Sequence, residues 1–399
     1  MEKKRRWRDA EKSGRLLALL VLFTQLLINA QETVEKSISS KILGEDRRLF
    51  VHLPANYDDE GIYPVIIVLD GGYMFRPVAG DVDFYTRIDG MPPSIVVGVD
   101  QNYTDDEGIA ARWVDCRYDD KTGLPVEKGA LFFDFIRSEL TDFLESNYSV
   151  SGFITIIGVS FTANYINYFL FDDDPVINGY AALSPFYAPN SRERFEAKLN
   201  SLNEHIFYYL CTGENDLEGH IPSINRMNTY LSGVESEYFH YDFDNFDNAD
   251  HQTLVLHGVP RALELFFSKY DALKEGELEL LPGNINLLDY IRAHYDLIEE
   301  IYGVRRRIRE IDLRRASTVL NAGRKWEQLQ ELGELTTSLY PDLASGYYML
   351  GTAAENRKEY EKALEFYKTG YSKLSDNRPD KSSYYDDITR MRMLINRQK

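Results

Sequence analysis

From about Lys41 to Lys269, short apolar runs alternate with stretches whose apolar residues recur at helical spacing. The runs are Leu49–Leu53, Val65–Leu69, Ile95–Val99, Ile154–Ile157, Tyr180–Leu183, Ile206–Leu210 and Tyr238–Phe243. Most are continuous Val, Ile, Leu and Tyr rather than alternating, the pattern of strands covered on both faces. Among the segments between them, A-L-F-F-D-F-I-R-S-E-L-T-D-F-L-E-S-N-Y places Phe132, Ile136, Leu140 and Phe143 on one stripe and predicts an amphipathic helix. Strands alternating with helices imply an α/β class with a mostly parallel sheet and helices on both faces.

After Tyr270 the pattern becomes helical throughout. Leu287, Ile291, Tyr295, Ile298 and Tyr302 follow helical spacing, with Gly303 as a stop. In A-S-G-Y-Y-M-L-G-T-A-A-E-N-R-K-E-Y-E-K-A-L-E-F-Y-K-T-G-Y, Gly351 and Ala363 sit where two antiparallel helices need small residues to touch. Tyr347, Leu350, Ala354 and Tyr367 supply an apolar seam at tetratricopeptide spacing. A degenerate unit of the same length precedes it from Glu310 and ends at Pro341, and the segment from Lys381 reads as a capping helix. An ordinary helical hairpin without repeat ancestry is the plainer alternative. The expected organisation is an α/β domain over residues 31–275, a linker helix over 276–309 and a tetratricopeptide-like region over 310–399.

The first thirty residues stand apart. Lys3, Lys4, Arg5, Arg6, Arg8, Lys12 and Arg15 form a basic head, followed by an apolar stretch ending at Ala30. This is the pattern of a secretory signal peptide cut after Ala30. A single membrane anchor is the alternative, but the stretch is shorter than the roughly 20 residues a spanning helix needs. Removing the segment takes the net charge from −19 to −23. The remaining chain is expected to be exported, to the periplasm or beyond, and not membrane-spanning. Its acidity argues against nucleic-acid binding, which needs a basic face. Cys116 and Cys211 cannot build a disulfide framework and read as unrelated thiols, and no Cys/His cluster has metal-ligand spacing. Neither a metal nor a cofactor is expected.

The chemistry centres on F-I-T-I-I-G-V-S-F-T-A-N-Y. An apolar strand runs into Gly158-Val159-Ser160-Phe161-Thr162 and a helical pattern follows at once. A serine on such a turn presents its hydroxyl over the sheet edge, and the N–H of Phe161 faces a developing oxyanion. Serine needs a histidine base and an acid to orient it, in the order Ser, acid, His on this kind of sheet. The strand I-F-Y-Y-L-C leads into T-G-E-N-D, which places Glu214 and Asp216 in a loop after it. Asp216 is the preferred acid, with Glu214 left to cap the turn. His251 lies in the polar stretch D-N-F-D-N-A-D-H-Q after the last strand and is the preferred base. The competitors are less well placed: His220 would have to fold back on the Asp216 loop, His240 lies within a strand, His257 near a helix start and His294 on a helical segment. Asp70-Gly71-Gly72 follows a buried strand, so Gly72 is expected as the second oxyanion donor, with Gly71 serving the turn. Gly71, Tyr73 and Arg112 are the candidate substrate-side residues.

Together these stretches resemble the esterase family of α/β-hydrolases that includes enterochelin-esterase-like and esterase D-like enzymes. R-R-L-F-V-H-L-P-A-N-Y, Y-P-V-I-I-V-L-D-G-G, P-P-S-I-V-V-G-V, I-I-G-V-S-F, A-A-L-S-P-F, C-T-G-E-N-D and A-D-H-Q-T-L-V-L-H-G-V-P-R-A-L-E-L-F-F occur in family order over most of residues 38–270. Some exported members carry tetratricopeptide-like helices after a linker similar to D-Y-I-R-A-H-Y-D-L-I-E-E-I-Y-G. The resemblance implies an α/β-hydrolase fold with Ser160 as nucleophile, Asp216 as acid and His251 as base, cleaving a carboxylic ester through an acyl-enzyme. Two positions depart from it: Val159 stands where the family usually has His, and Thr162 where it has Gly. Val159 is expected to reshape the pocket wall. The branched Thr162 is expected to tilt the Phe161 N–H away from the oxyanion. The alternative function is therefore a weak or inactive hydrolase shell whose helical tail recognises a protein partner.

Overall fold

A computed structural model of the chain describes residues 33–101, 103–104, 110–379 and 381–398. The expected signal peptide lies outside the described residues. The chain divides into two compact units, one running to Tyr270 and including Ile301–Val304, the other comprising Asp271–Glu300 and Arg305–Lys399. The segment expected as a linker thus contributes to both.

The first unit is built on one eight-stranded sheet of order β1-β2-β4-β3-β5-β6-β7-β8. Its strands are β1 Thr33–Ser40, β2 Glu45–His52, β3 Tyr63–Val68, β4 Ile95–Val99, β5 Val150–Val159, β6 Gly179–Leu183, β7 Ile206–Asn215 and β8 Phe239–Asp250. Pairing from β4 through β3, β5, β6 and β7 to β8 is parallel, while β1–β2 and β2–β4 are antiparallel. All seven apolar runs are strands, and β3, β4 and β6 are buried along their whole length, as continuous apolar runs require. The sheet is mostly parallel, as the alternation of strands and helices requires.

Strand β1 carries no apolar run. Its sequence T-V-E-K-S-I-S-S is mostly exposed and pairs through the backbone along the sheet edge, where polar side chains discourage further pairing. Strands β7 and β8 run farther than their apolar cores. The polar stretch after Phe243, expected as a loop, stays in the sheet to Asp250, and Glu214 lies within β7 rather than beyond it. Backbone pairing with a neighbour, not side-chain burial, holds these residues extended.

The predicted helix over residues 130–148 is interrupted. α-Helical Lys128–Asp134 and Thr141–Asn147 flank a wider π-turn at Phe135–Leu140. The Thr141 hydroxyl donates to the carbonyl of Ile136, five residues back, at 3.0 Å. The wider turn shifts the buried stripe by one position: Phe132, Ile136 and Leu140 are buried as expected, but Leu144 replaces Phe143.

The second unit is helical. Helices Glu310–Ala322 and Trp326–Leu339 are followed by Ala344–Asn356 and Tyr360–Ser372, so the two pairs start 34 residues apart, and Lys381–Gln398 closes the series. A Cβ on Gly351 would fall 2.5 Å from the Tyr367 ring, and Ala363 has no exposed surface. Small residues at these points let the facing helices meet.

Candidate active site

Strand β5 enters the elbow through Gly158, where a Cβ would lie 2.6 Å from the Thr162 carbonyl oxygen. Only glycine permits that approach of strand and helix. Ser160 follows at φ 59°, ψ −113°, a conformation that L-residues rarely adopt and that turns the chain at once into helix Phe161–Tyr165. Its N–H donates to Leu183 on β6 at 2.8 Å, and its carbonyl accepts from Asn164 at 3.2 Å, so both sides of the strained residue are pinned. The Ser160 side chain is half-buried and makes no hydrogen bond among the described residues.

Asp216 follows the last residue of β7 and His251 the last residue of β8. Their placement depends on an irregularity: Gly213 pairs with Phe246, but Asn215 pairs with Asp250, so β8 carries two extra residues between these points. Asn248, inside that excess, has φ 61°. Bulges of this kind re-aim the chain beside active sites. His251 Nδ1 lies 2.7 Å from Asp216 Oδ1. Asp216 also accepts from the Thr212 hydroxyl at 2.7 Å and from the Leu217 N–H at 2.8 Å. Burial raises the Asp216 carboxyl, but its hydrogen bonds, that from His251 foremost, outweigh burial and lower it to about 2. Glu214, the alternative acid, is exposed and accepts the Asn248 N–H at 3.4 Å.

Two residues beyond the expected set join this couple. Ser184, at the end of β6, and His220, before helix Ile221–Leu231, both reach it. His220 does fold back on the Asp216 loop, its N–H donating to the Leu217 carbonyl at 2.9 Å. Asp216, His220 and His251 bring one potential ligand atom each within 4.8 Å of one another, a grouping among the described residues that sequence spacing did not reveal. Its facing ring nitrogens already bond Asp216 and Ser184. The signals were present only as isolated features: a serine closing a strand in A-A-L-S-P-F, and a histidine one turn beyond an acid.

On the other side of Ser160, Asp70, two residues past β3, has no exposed surface and φ 54°. The Arg112 guanidinium donates through Nη2 to Asp70 Oδ2 at 3.0 Å and to the Val159 carbonyl at 3.3 Å. Thr162 completes the arrangement. Its hydroxyl accepts the Val159 N–H at 2.9 Å and lies 2.9 Å from Asp70 Oδ2, with the Val159 carbonyl at 3.0 Å as the other acceptor. The expectations for three residues change accordingly. Thr162 is integrated into the elbow by its hydroxyl rather than crowding it. Val159 is 3% exposed and lends its backbone, not its side chain, so it shapes little of any pocket wall. Arg112 is tied to a buried carboxylate, which occupies one of its nitrogens.

The oxyanion candidates occupy two helix starts. Helix Gly71–Arg87 makes its first bonds from Tyr73 and Met74 to the Asp70 carbonyl, both at 3.1 Å, so the Gly72 N–H precedes them. Gly72 is exposed, whereas Gly71 is buried: a Cβ there would lie 2.7 Å from the Gly98 carbonyl carbon on β4. Gly71 therefore serves close packing against β4. Tyr73 is exposed. The Phe161 ring packs against Trp113 at 4.7 Å and Tyr118 at 5.8 Å, making an aromatic wall beside the elbow.

A mostly parallel sheet with a serine elbow after β5, and an acid and a histidine after β7 and β8, is the architecture of the α/β-hydrolases. Residues 40–165 match the family described as "Putative esterase". The match covers β2 to the elbow helix and stops before Asp216 and His251. With the fold, it supports a carboxylic ester hydrolase. A curated relative, the uncharacterized protein YjcH of Bacillus subtilis, is 26% identical over 228 residues, 55% of this chain and 90% of that protein. Among solved structures, an uncharacterised protein from Capnocytophaga ochracea superposes with a TM-score of 0.74 at 23% identity, covering 91% of this chain and all of the other. An IroE-like serine hydrolase from Shewanella oneidensis gives 0.57 at 19% identity, covering 76% of this chain and 98% of its own. These likenesses are of fold.

Proposed function

We propose that the chain is an exported serine esterase. Ser160 attacks the ester carbonyl, and His251 takes the hydroxyl proton through Nε2 and returns it to the leaving alcohol. Asp216 holds the imidazole with its Nδ1–H inward and stabilises the imidazolium. The N–H groups of Gly72 and Phe161 receive the oxyanion of the tetrahedral intermediate. The acyl-enzyme on Ser160 is then cleaved by water, with His251 again as base. No cofactor enters these steps.

The observation that carries this reading is the 2.7 Å Asp216–His251 pair, which engages Nδ1 and leaves Nε2 to serve the serine. Ser160 and His251 are not hydrogen-bonded here, and such catalytic contacts commonly tighten only when substrate is bound. The hydroxyl of Thr162 supports an active enzyme over an inactive shell, because it fills the place expected to spoil the elbow. Export rests on the basic–apolar pattern of residues 1–30, and no helix among the described residues is long and apolar enough to cross a membrane. The second unit is a candidate surface for a protein partner.

The test is a fluorophosphonate probe, which reacts with activated serines. Labelling of the wild-type chain and its loss in Ser160→Ala is the expected result. An unlabelled wild-type chain, or labelling that survives the substitution, overturns the reading.

A further inference from the structure

Ser184 sits at the end of β6 with no exposed surface and φ 49°, a left-handed conformation uncommon for serine. Its N–H donates to the Cys211 carbonyl on β7 at 2.9 Å, which fixes the residue between two strands. This posture brings its Oγ to 3.2 Å from Nδ1 of His251 and 3.2 Å from Nδ1 of His220. His220 Nδ1 also lies 3.1 Å from the Ser184 carbonyl oxygen. The His220 ring packs against Phe186 at 5.3 Å and meets the His251 ring edge-on at 5.2 Å.

The protons in this cluster can be assigned by elimination. A carbonyl only accepts, so His220 carries its proton on Nδ1 and donates to Ser184. An ionised carboxylate only accepts, so His251 carries its proton on Nδ1 and donates to Asp216. Both ring nitrogens facing the Ser184 oxygen are therefore donors, and the single hydroxyl proton must point elsewhere.

We propose that Ser184 and His220 are a positioning pair for the catalytic couple: His220 donates to the Ser184 oxygen and orients it, and that oxygen accepts from Nδ1 of His251 and steadies its ring. The proposal rests on the esterase reading for its kinetic consequence but not for its geometry. Neither residue touches the reacting atoms. Asp216 itself receives His251, the Thr212 hydroxyl and the Leu217 N–H, so its carboxylate is held in one orientation. The imidazole follows it and keeps Nε2 toward the elbow.

The discriminating variants are His220→Phe, which keeps an aromatic ring on Phe186 but removes the donor, and His220→Gln, whose amide N–H can replace it. His220→Phe is expected to lower kcat about tenfold with KM within about twofold, and His220→Gln to recover most of the loss. Equal damage from the two variants would overturn the proposal, as would an effect confined to KM. An activity-independent readout is the nitrogen-15 spectrum of the histidine rings. The wild type should show both His220 and His251 protonated at Nδ1, and Ser184→Ala should speed exchange of the His251 Nδ1 proton. A His220 ring protonated at Nε2 instead would sink the pair even if esterase activity is confirmed. The expected spectrum without Ser160 labelling would leave the pair standing and strike the esterase reading.

Discussion

The hydroxyl of Thr162 lies 2.9 Å from Oδ2 of Asp70, a carboxylate with no exposed surface and 92 positions earlier in the chain. The same oxygen of Asp70 receives Arg112, so a buried charge just past β3 draws both a cation and a hydroxyl from the elbow. Removing the hydroxyl deprives a buried acceptor of a donor, which costs about 1–3 kcal/mol. Thr162→Val, of nearly equal volume, should lose that much stability by urea unfolding, and Thr162→Ser should keep most of it. Thr162→Gly, which family likeness alone would favour, should lower both stability and acylation rate. A faster single-turnover rate in Thr162→Gly would show the hydroxyl to be dispensable.

If Arg112 serves chiefly to neutralise Asp70, its loss is a folding defect. Arg112→Met should destabilise by about 3–5 kcal/mol, the usual result of removing one partner of a buried ion pair. Adding Asp70→Asn should recover part of that loss. An Arg112→Met protein of wild-type stability but raised KM would return the residue to substrate binding.

The proposed triad should act as a unit. Ser160→Ala or His251→Ala should each reduce turnover on the order of 10³–10⁶-fold, and the double variant should fall scarcely further. Near-multiplicative losses would mean that the two side chains work independently.

The hydrogen bonds to Asp216 make stability depend on pH. Its folded value, about 2, lies below its ordinary 3.8, so the folded state favours the ionised carboxylate. That stabilisation is complete above about pH 4 and is lost as pH falls toward 2. The stability gap between wild type and Asp216→Asn should therefore be constant from pH 7 to 5 and shrink on further acidification. Urea unfolding at pH 6, 4 and 3 measures it, and a gap that widens in acid would contradict the assignment.

In the helical unit, Gly351→Ala forces a methyl to within 2.5 Å of the Tyr367 ring. Such overpacking costs about 1–3 kcal/mol and should lower the thermal midpoint of the chain's helical signal. No change would mean that the ring moves aside freely.

The apolar runs made β2 to β8 legible because burial on both faces leaves a compositional mark. Strand β1 and the far ends of β7 and β8 left none, since backbone pairing tolerates Glu35, Asp244 or Asp250 as readily as Val. Chain order was enough to select Ser160, Asp216 and His251 as candidates. It could not pair Asp70 with Thr162, or bring Ser184 between two imidazoles, because those contacts join elements whose spacing along the chain carries no periodic signal. The family-like departures at Val159 and Thr162 were visible, but their meaning depended on which neighbours the fold supplied.

The two surplus residues of β8 bear on how this segment tolerates changes of length. Phe246 and Asp250 face residues only two apart on β7, so the surplus is looped out of the ladder and adds nothing to its length. Deleting both surplus residues would leave Asp250 opposite Asn215 in a regular ladder and keep the place of His251 along the strand. What would be lost is the redirection that the bulge gives the chain as it leaves β8 for His251. Shortening this segment should therefore spare the sheet and be felt first in the Asp216–His251 contact.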